Sequence, residues 1–239
     1  SKEALQTKPE LNERVNWELP KEFIPIIRKR CDQKGIKFGC TPFYLEAVDY
    51  LNDYVDFFKI ASYELLWDDL ITKCSKTEKD LIISTGMASL EEVKHAVSVV
   101  KKQTNILPAL MHCNSTYPMP LDYANLSAIK TIRDSTGCKV GWSDHSMSSE
   151  LVLLSIVEWN ASHIELHIDL EGDGEEFKTG HCWLPDKAQE LIKFVKKIDS
   201  INGSGIKKLS EVEFIESSWR ADPSDGLRPL LKTRKEIIE

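Results

Sequence analysis

No Gly-x-Gly-x-x-Gly segment follows any strand-like run of this chain, so a dinucleotide-binding fold has no support. Cys-x-x-Cys is absent as well. The six cysteines (Cys31, Cys40, Cys74, Cys113, Cys138 and Cys182) stand singly, which indicates neither a zinc framework nor a redox pair. Several end or follow apolar runs, where a free thiol acts as a small buried hydrophobe. They point to a reduced, cytoplasmic compartment. No apolar run approaches the roughly 18 residues of a membrane span, and nothing at the start resembles a signal peptide. Positive charge is in deficit, with 31 Lys and Arg against 38 Asp and Glu and a net charge of −7. That field draws in neither nucleic acid nor an anionic membrane, so an anionic substrate needs locally placed cations. No methionine precedes Met87, and the opening SKEALQTKPELNERVN is polar and strand-free.

What is present is a regular alternation. Strand-like runs at 36–40, 57–61, 81–84, 106–112, 139–143 and 163–167 are separated by amphipathic stretches. Those stretches begin near Pro20 and continue at 44–52, 65–74, 89–102, 121–135, 148–159 and 184–198. Ser89 followed by Glu92 is a capping box, and Pro108 fits a strand only where no ladder donor is needed. Strand–helix alternation argues for an α/β fold with a parallel sheet and crossover helices. Polar residues gather just after the strands, as in a (β/α)8 TIM barrel, whose site lies at the C-terminal strand ends. Six strand–helix units are visible, so the first two barrel strands are expected before Ser1. Strands 36–40 and 163–167 should then be the two open edges. Residues 1–200 read as a partial barrel catalytic domain and 201–239 as a linker-like tail.

The strand ends carry the chemistry. His145 in GWSDHSM and His167 in SHIELHIDL stand 22 residues apart, beside Asp144, Glu165 and Asp169. Adjacent parallel strands lie about 5 Å apart, so the two imidazoles can share one cation, with oxygen ligands in the open positions. Satisfied polar residues at strand ends are the plainer alternative. Lys59 sits inside an apolar strand, where a cation needs an anion; Glu64 is a candidate partner and a candidate acid or base. ISTGM (83–87) fits either a turn and cap or a phosphate cradle of hydroxyls and backbone N–H groups. In HCNSTYP, Ser115 and Tyr117 can reach the site. His181 before the last helix is ambiguous, and Trp183 reads as packing.

GIKFGCTPF, FFKIASYE, ISTGMASLEEV, HCNSTYPMP and VGWSDHS, in that order and spacing, resemble the sialic acid (N-acetylneuraminate) synthase family. The resemblance covers about residues 18–200. It implies a (β/α)8 barrel and the condensation of phosphoenolpyruvate with an N-acetylated hexosamine, N-acetylmannosamine or a related sugar, to a nine-carbon 2-keto-3-deoxy acid. It implies that His145 and His167 ligate a divalent metal, Mn2+ with Mg2+ or Co2+ as alternatives. It implies that Lys59, Ser62, Ser84 and Ser143 bind phosphoenolpyruvate with Thr41 and Ser115 nearby, and that Glu64 and Tyr117 face the sugar; His181, matching the histidine of the family's Gly-Pro-Asp-His, is counted among the substrate-binding residues. A homodimer is one expectation for its assembly. The sequence departs from the family at Leu166, where the family has lysine, and in TGHCWLP, where the family has Gly-Pro-Asp-His. No antifreeze-like domain is legible in the tail. A metal-dependent aldolase or hydrolase on the same barrel and an inactive barrel fragment stay open, since fold does not fix chemistry.

Overall fold

A computed structural model describes residues 19–238. They form two compact units, one ending at Leu191 and one starting at Ile192. The first holds a parallel sheet of seven strands in sequential order: β1 (Gly39–Cys40), β2 (Phe57–Ile60), β3 (Asp80–Ser84), β4 (Ala109–His112), β5 (Val140–Asp144), β6 (Ile164–Ile168) and β7 (Cys182–Trp183). Helices α1 (Phe23–Lys34), α2 (Leu45–Asn52), α3 (Asp68–Ser75), α4 (Leu90–Lys101), α5 (Ala128–Thr136), α6 (Ser149–Val157) and α7 (Glu175–Lys178) alternate with them, and α8 (Pro185–Val195) follows β7. The second unit contains α9 (Ile198–Asn202) and α10 (Leu231–Ile238), of which α10 falls within 201–239. No helix among the described residues is long and apolar enough to cross a membrane.

The strand period of two decides what reaches the site. On β2, Phe58 and Ile60 are fully buried on one face, while Phe57 and Lys59 line a cavity on the other. On β3, Leu81 and Ile83 are buried toward the helix layer, and Ile82 and Ser84 line the cavity. The helices cover the first face with their own apolar stripes, as with Val93, Ala96, Val97 and Val100 of α4. The expected capping box forms at the start of α4: the Ser89 hydroxyl accepts from the Glu92 N–H, and Glu92 accepts from the Ser89 N–H. Helix α5 ends on Gly137 at φ +73°, a left-handed turn whose N–H returns to the Arg133 carbonyl; glycine takes that conformation without penalty.

The count of six strands needs correcting. β7 is a seventh, paired with β6 through His167↔Cys182 and Ile168↔Trp183, so 163–167 is not a sheet edge. Two residues carry no periodicity, which is why the run was invisible in the sequence. Among the described residues β1 pairs only with β2 and β7 only with β6. The stretch 36–40 narrows to Gly39–Cys40. β4 begins at Ala109, after Pro108, which cannot donate to a ladder. Residues 1–18 and any strand before Ser1 lie outside the described residues.

Candidate active site

The C-terminal strand ends open on a cavity of about 670 Å3, lined among others by Thr41, Lys59, Ser62, Ser84, Tyr117, Ser143, Glu165, His145 and His167. These nine residues, all named in the sequence, therefore share one space. Ser115 lies instead on a neighbouring hollow with Asn114 and Tyr123. Glu64 and His181 are not part of the cavity wall, although His181 packs its ring 5.0 Å from those of Tyr117 and His167.

Lys59 has its anion, and it is not Glu64. The ammonium lies 2.7 Å from Glu165 on β6, with the lysine side chain 15% exposed. The other Glu165 oxygen accepts from the Ser143 hydroxyl at 2.7 Å; the β5–β6 register sets Ser143 opposite Glu165. Burial pushes the Glu165 carboxyl up, but the Lys59 charge and hydrogen bond, with Ser143, hold it below the usual carboxylate range. Among the described residues Lys59 is the one lysine or arginine on the cavity wall.

His145 is 3% exposed. Its Nδ1–H donates to the Asn114 carbonyl at 2.7 Å, which fixes the tautomer and leaves Nε2 with a lone pair. Nε2 stands 3.5 Å from Ser143 Oγ, whose proton is already given to Glu165. Two lone pairs thus face each other, and burial holds the imidazole neutral by lowering its pKa. The His167 ring lies 5.2 Å from that of His145. A neutral, oriented imidazole with an unused lone pair beside a second imidazole fits a divalent cation.

The strand end of β3 is built for hydroxyls. The Gly86 N–H donates to Ser62 Oγ at 3.0 Å, and that hydroxyl also lies within hydrogen-bond reach of Cys113 Sγ at 3.4 Å. A Cβ at Gly86 would fall 2.2 Å from Ser115 Oγ and 2.8 Å from Ser62 Oγ, so only glycine allows this convergence. Ser115 Oγ and Glu64 Oε2 are buried without a hydrogen-bond partner. Burial raises the Glu64 pKa, as it raises the Tyr117 phenol, which reaches about 12.

Several contributors escaped the sequence. Asp144 is fully buried and accepts from the Ser146 hydroxyl, the Met147 N–H and, at 3.1 Å, the Trp183 indole. Trp183 is therefore more than packing: it ties β7 to the turn that carries His145. Glu176 on α7 lies 3.5 Å from His167 Nδ1. Asn114 acts through its carbonyl, which no residue type announces. His112 turns the other way, against Trp142 and the Ala124 carbonyl.

Polar groups convergent at the C-terminal ends of parallel strands, with helices on the far face, define the barrel class of α/β protein. The chain belongs to the NeuB family, whose profile matches residues 1–207. It is 35% identical over 192 residues to the N,N'-diacetyllegionaminic acid synthase of Campylobacter jejuni, covering 77% of this chain and 55% of that protein. It is 28% identical over 193 residues to the pseudaminic acid synthase of the same species, covering 80% and 56%. Among solved structures it resembles the N-acetylneuraminic acid (sialic acid) synthetase of Leptospira borgpetersenii in complex with citrate. That match has a TM-score of 0.75 and 29% identity, over 92% of this chain and 79% of the other. The chain thus spans little more than half the length of the two curated relatives.

Proposed function

We propose that this site condenses phosphoenolpyruvate with an N-acetylated hexosamine, forming a sialic acid-type 2-keto-3-deoxy acid and releasing phosphate. The observation that carries this reading is Lys59: a lysine held inward on an apolar strand, facing hydroxyls of Ser62, Ser84 and Ser143 across one cavity. Its pairing with Glu165 keeps the site near neutral when no ligand is bound. Family membership and the relatives' names support the reaction class.

In the reaction, C3 of phosphoenolpyruvate forms a bond to the aldehyde carbon of the open-chain sugar, and the aldehyde oxygen takes up a proton. Water adds at C2, and the C2–O bond to phosphate breaks, leaving the 2-keto group. Lys59 and the three serines hold the phosphate and carboxylate, with Thr41 and Ser115 near them. Such charge-assisted hydrogen bonds are about twice as strong as neutral ones. A divalent ion of the Mn2+, Mg2+ or Co2+ kind, held by His145 and His167, supplies Lewis acidity toward the sugar carbonyl. Tyr117 offers the sugar an aromatic wall, with the His181 ring packed 5.0 Å from it. Glu64, with its raised pKa and unpaired oxygen, suits proton transfer or hydroxyl orientation.

Calorimetric titration tests the assignment. Lys59→Met and Ser143→Ala should weaken phosphoenolpyruvate binding roughly tenfold or more, the equivalent of one charge-assisted hydrogen bond, and leave sugar binding nearly unchanged. Equal losses for both ligands would give Lys59 a purely structural role.

A further inference from the structure

Beside the imidazole pair, and sharing His167 with it, lies a set of donors whose Glu176 and Cys182 the reaction above does not use. One ligand atom from each of His167, Glu176, His181 and Cys182 falls within 4.8 Å of the others. Glu176 is the hub: its Oε2 is 3.5 Å from His167 Nδ1, 3.9 Å from His181 Nε2 and 3.9 Å from Cys182 Sγ. His181 and Cys182 are 4% and 2% exposed, whereas Glu176 is open to solvent, which leaves an entry path.

The outer contacts orient the donors. The Thr179 hydroxyl donates its one proton to the Glu176 carbonyl at 2.7 Å, so at 2.7 Å from His181 Nδ1 it accepts. His181 is thereby set with Nδ1–H outward and the Nε2 lone pair toward Glu176. An imidazole fixed by a hydrogen bond at its far nitrogen is the usual support of a metal ligand.

We propose that His167, Glu176, His181 and Cys182 form a thiolate-containing cation site that takes Zn2+ or a similarly soft ion in preference to Mg2+ or Mn2+. Two nitrogens, one sulfur and one carboxylate oxygen match four-coordinate zinc; hard ions favour all-oxygen shells. On binding, the cation replaces the Cys182 thiol proton, which leaves to the buffer. The thiolate and the carboxylate then neutralise the dication, so the buried donors carry no net charge. The site stands on these donors alone and does not depend on the proposed reaction. It draws on His167, so a soft ion here takes one member of the His145–His167 pair.

Cobalt(II) alone is the probe, titrated into the full chain with absorption as the readout. The expected result is a near-ultraviolet thiolate-to-cobalt charge-transfer band, bleached by Zn2+ and resistant to equimolar Mg2+. The band should vanish in Cys182→Ser and persist in His145→Ala. Thr179→Val keeps all four donors but removes the orienting acceptor, and should weaken cobalt binding on the order of tenfold. No charge-transfer band in the wild-type chain overturns the proposal. So does a band that survives Cys182→Ser, or one that His145→Ala abolishes, since the thiolate would then belong to another site. Thr179→Val binding cobalt as tightly as the wild type removes the orienting argument and counts against it too.

Discussion

Replacing Lys59 by methionine should destabilise the fold in a pH-dependent way, and the size of the effect follows from the pair it breaks. Lys59 and Glu165 meet at 2.7 Å, with side chains 15% and 36% exposed. Removing one partner of a fully buried pair costs about 3–5 kcal/mol. Glu165 keeps the Ser143 hydroxyl and is open to water over a third of its surface, so solvent screening lowers the figure to about 1–2 kcal/mol. In the wild type the Glu165 pKa is depressed. Its contribution is therefore present above the ordinary carboxylate pKa and lost as pH falls through the depressed value. In Lys59→Met the burial that opposes ionisation is unbalanced, and the pKa rises instead. The variant's deficit should be largest near pH 7 and should shrink as Glu165 takes up a proton in mild acid. Urea denaturation at pH 7 and pH 5, with m-values compared, measures both. Lys59→Met/Glu165→Gln should recover most of the loss, giving a coupling of about 1 kcal/mol. A pH-independent deficit, or strict additivity in the double variant, would refute the reasoning.

Gly86→Ala should displace the Ser62 and Ser115 hydroxyls, costing about 1–2 kcal/mol by overpacking and weakening phosphoenolpyruvate binding; unchanged affinity would separate those hydroxyls from the ligand. Trp183→Phe removes the indole donor to buried Asp144 and should lower stability by about 1 kcal/mol in denaturant titration. His145→Ala should reduce Mn2+ affinity, read by paramagnetic relaxation of water, with circular dichroism unchanged; full retention of Mn2+ binding would place the catalytic ion elsewhere.

The sequence exposed Lys59 because an ammonium inside an apolar strand is an anomaly at the level of residue type. Its partner was hidden, because Glu165 meets it only through the folding of β2 and β6 around a common cavity, and the nearer Glu64 looked equally suitable. His145 and His167 are legible as strand ends, and their rings lie 5.2 Å apart. What aims His145 was not legible, since the Asn114 carbonyl is a backbone atom. β7 was lost because two residues carry no period, and with it went the strand that places His181 and Cys182 beside His167. Trp183 reads locally as packing, and Asp144 as a carboxylate beside His145. Their hydrogen bond exists only once β7 sits near the turn after β5.

Phosphate release tests the central claim most directly. The chain is supplied with a divalent ion, phosphoenolpyruvate labelled with 18O at the bridging C–O–P oxygen, and an N-acetylated hexosamine, together and singly. The account predicts phosphate only when both substrates are present, with the label carried in the phosphate because the C–O bond breaks, and loss of release in Lys59→Met. Equal release from phosphoenolpyruvate alone, or label retained in the sugar acid, would contradict it.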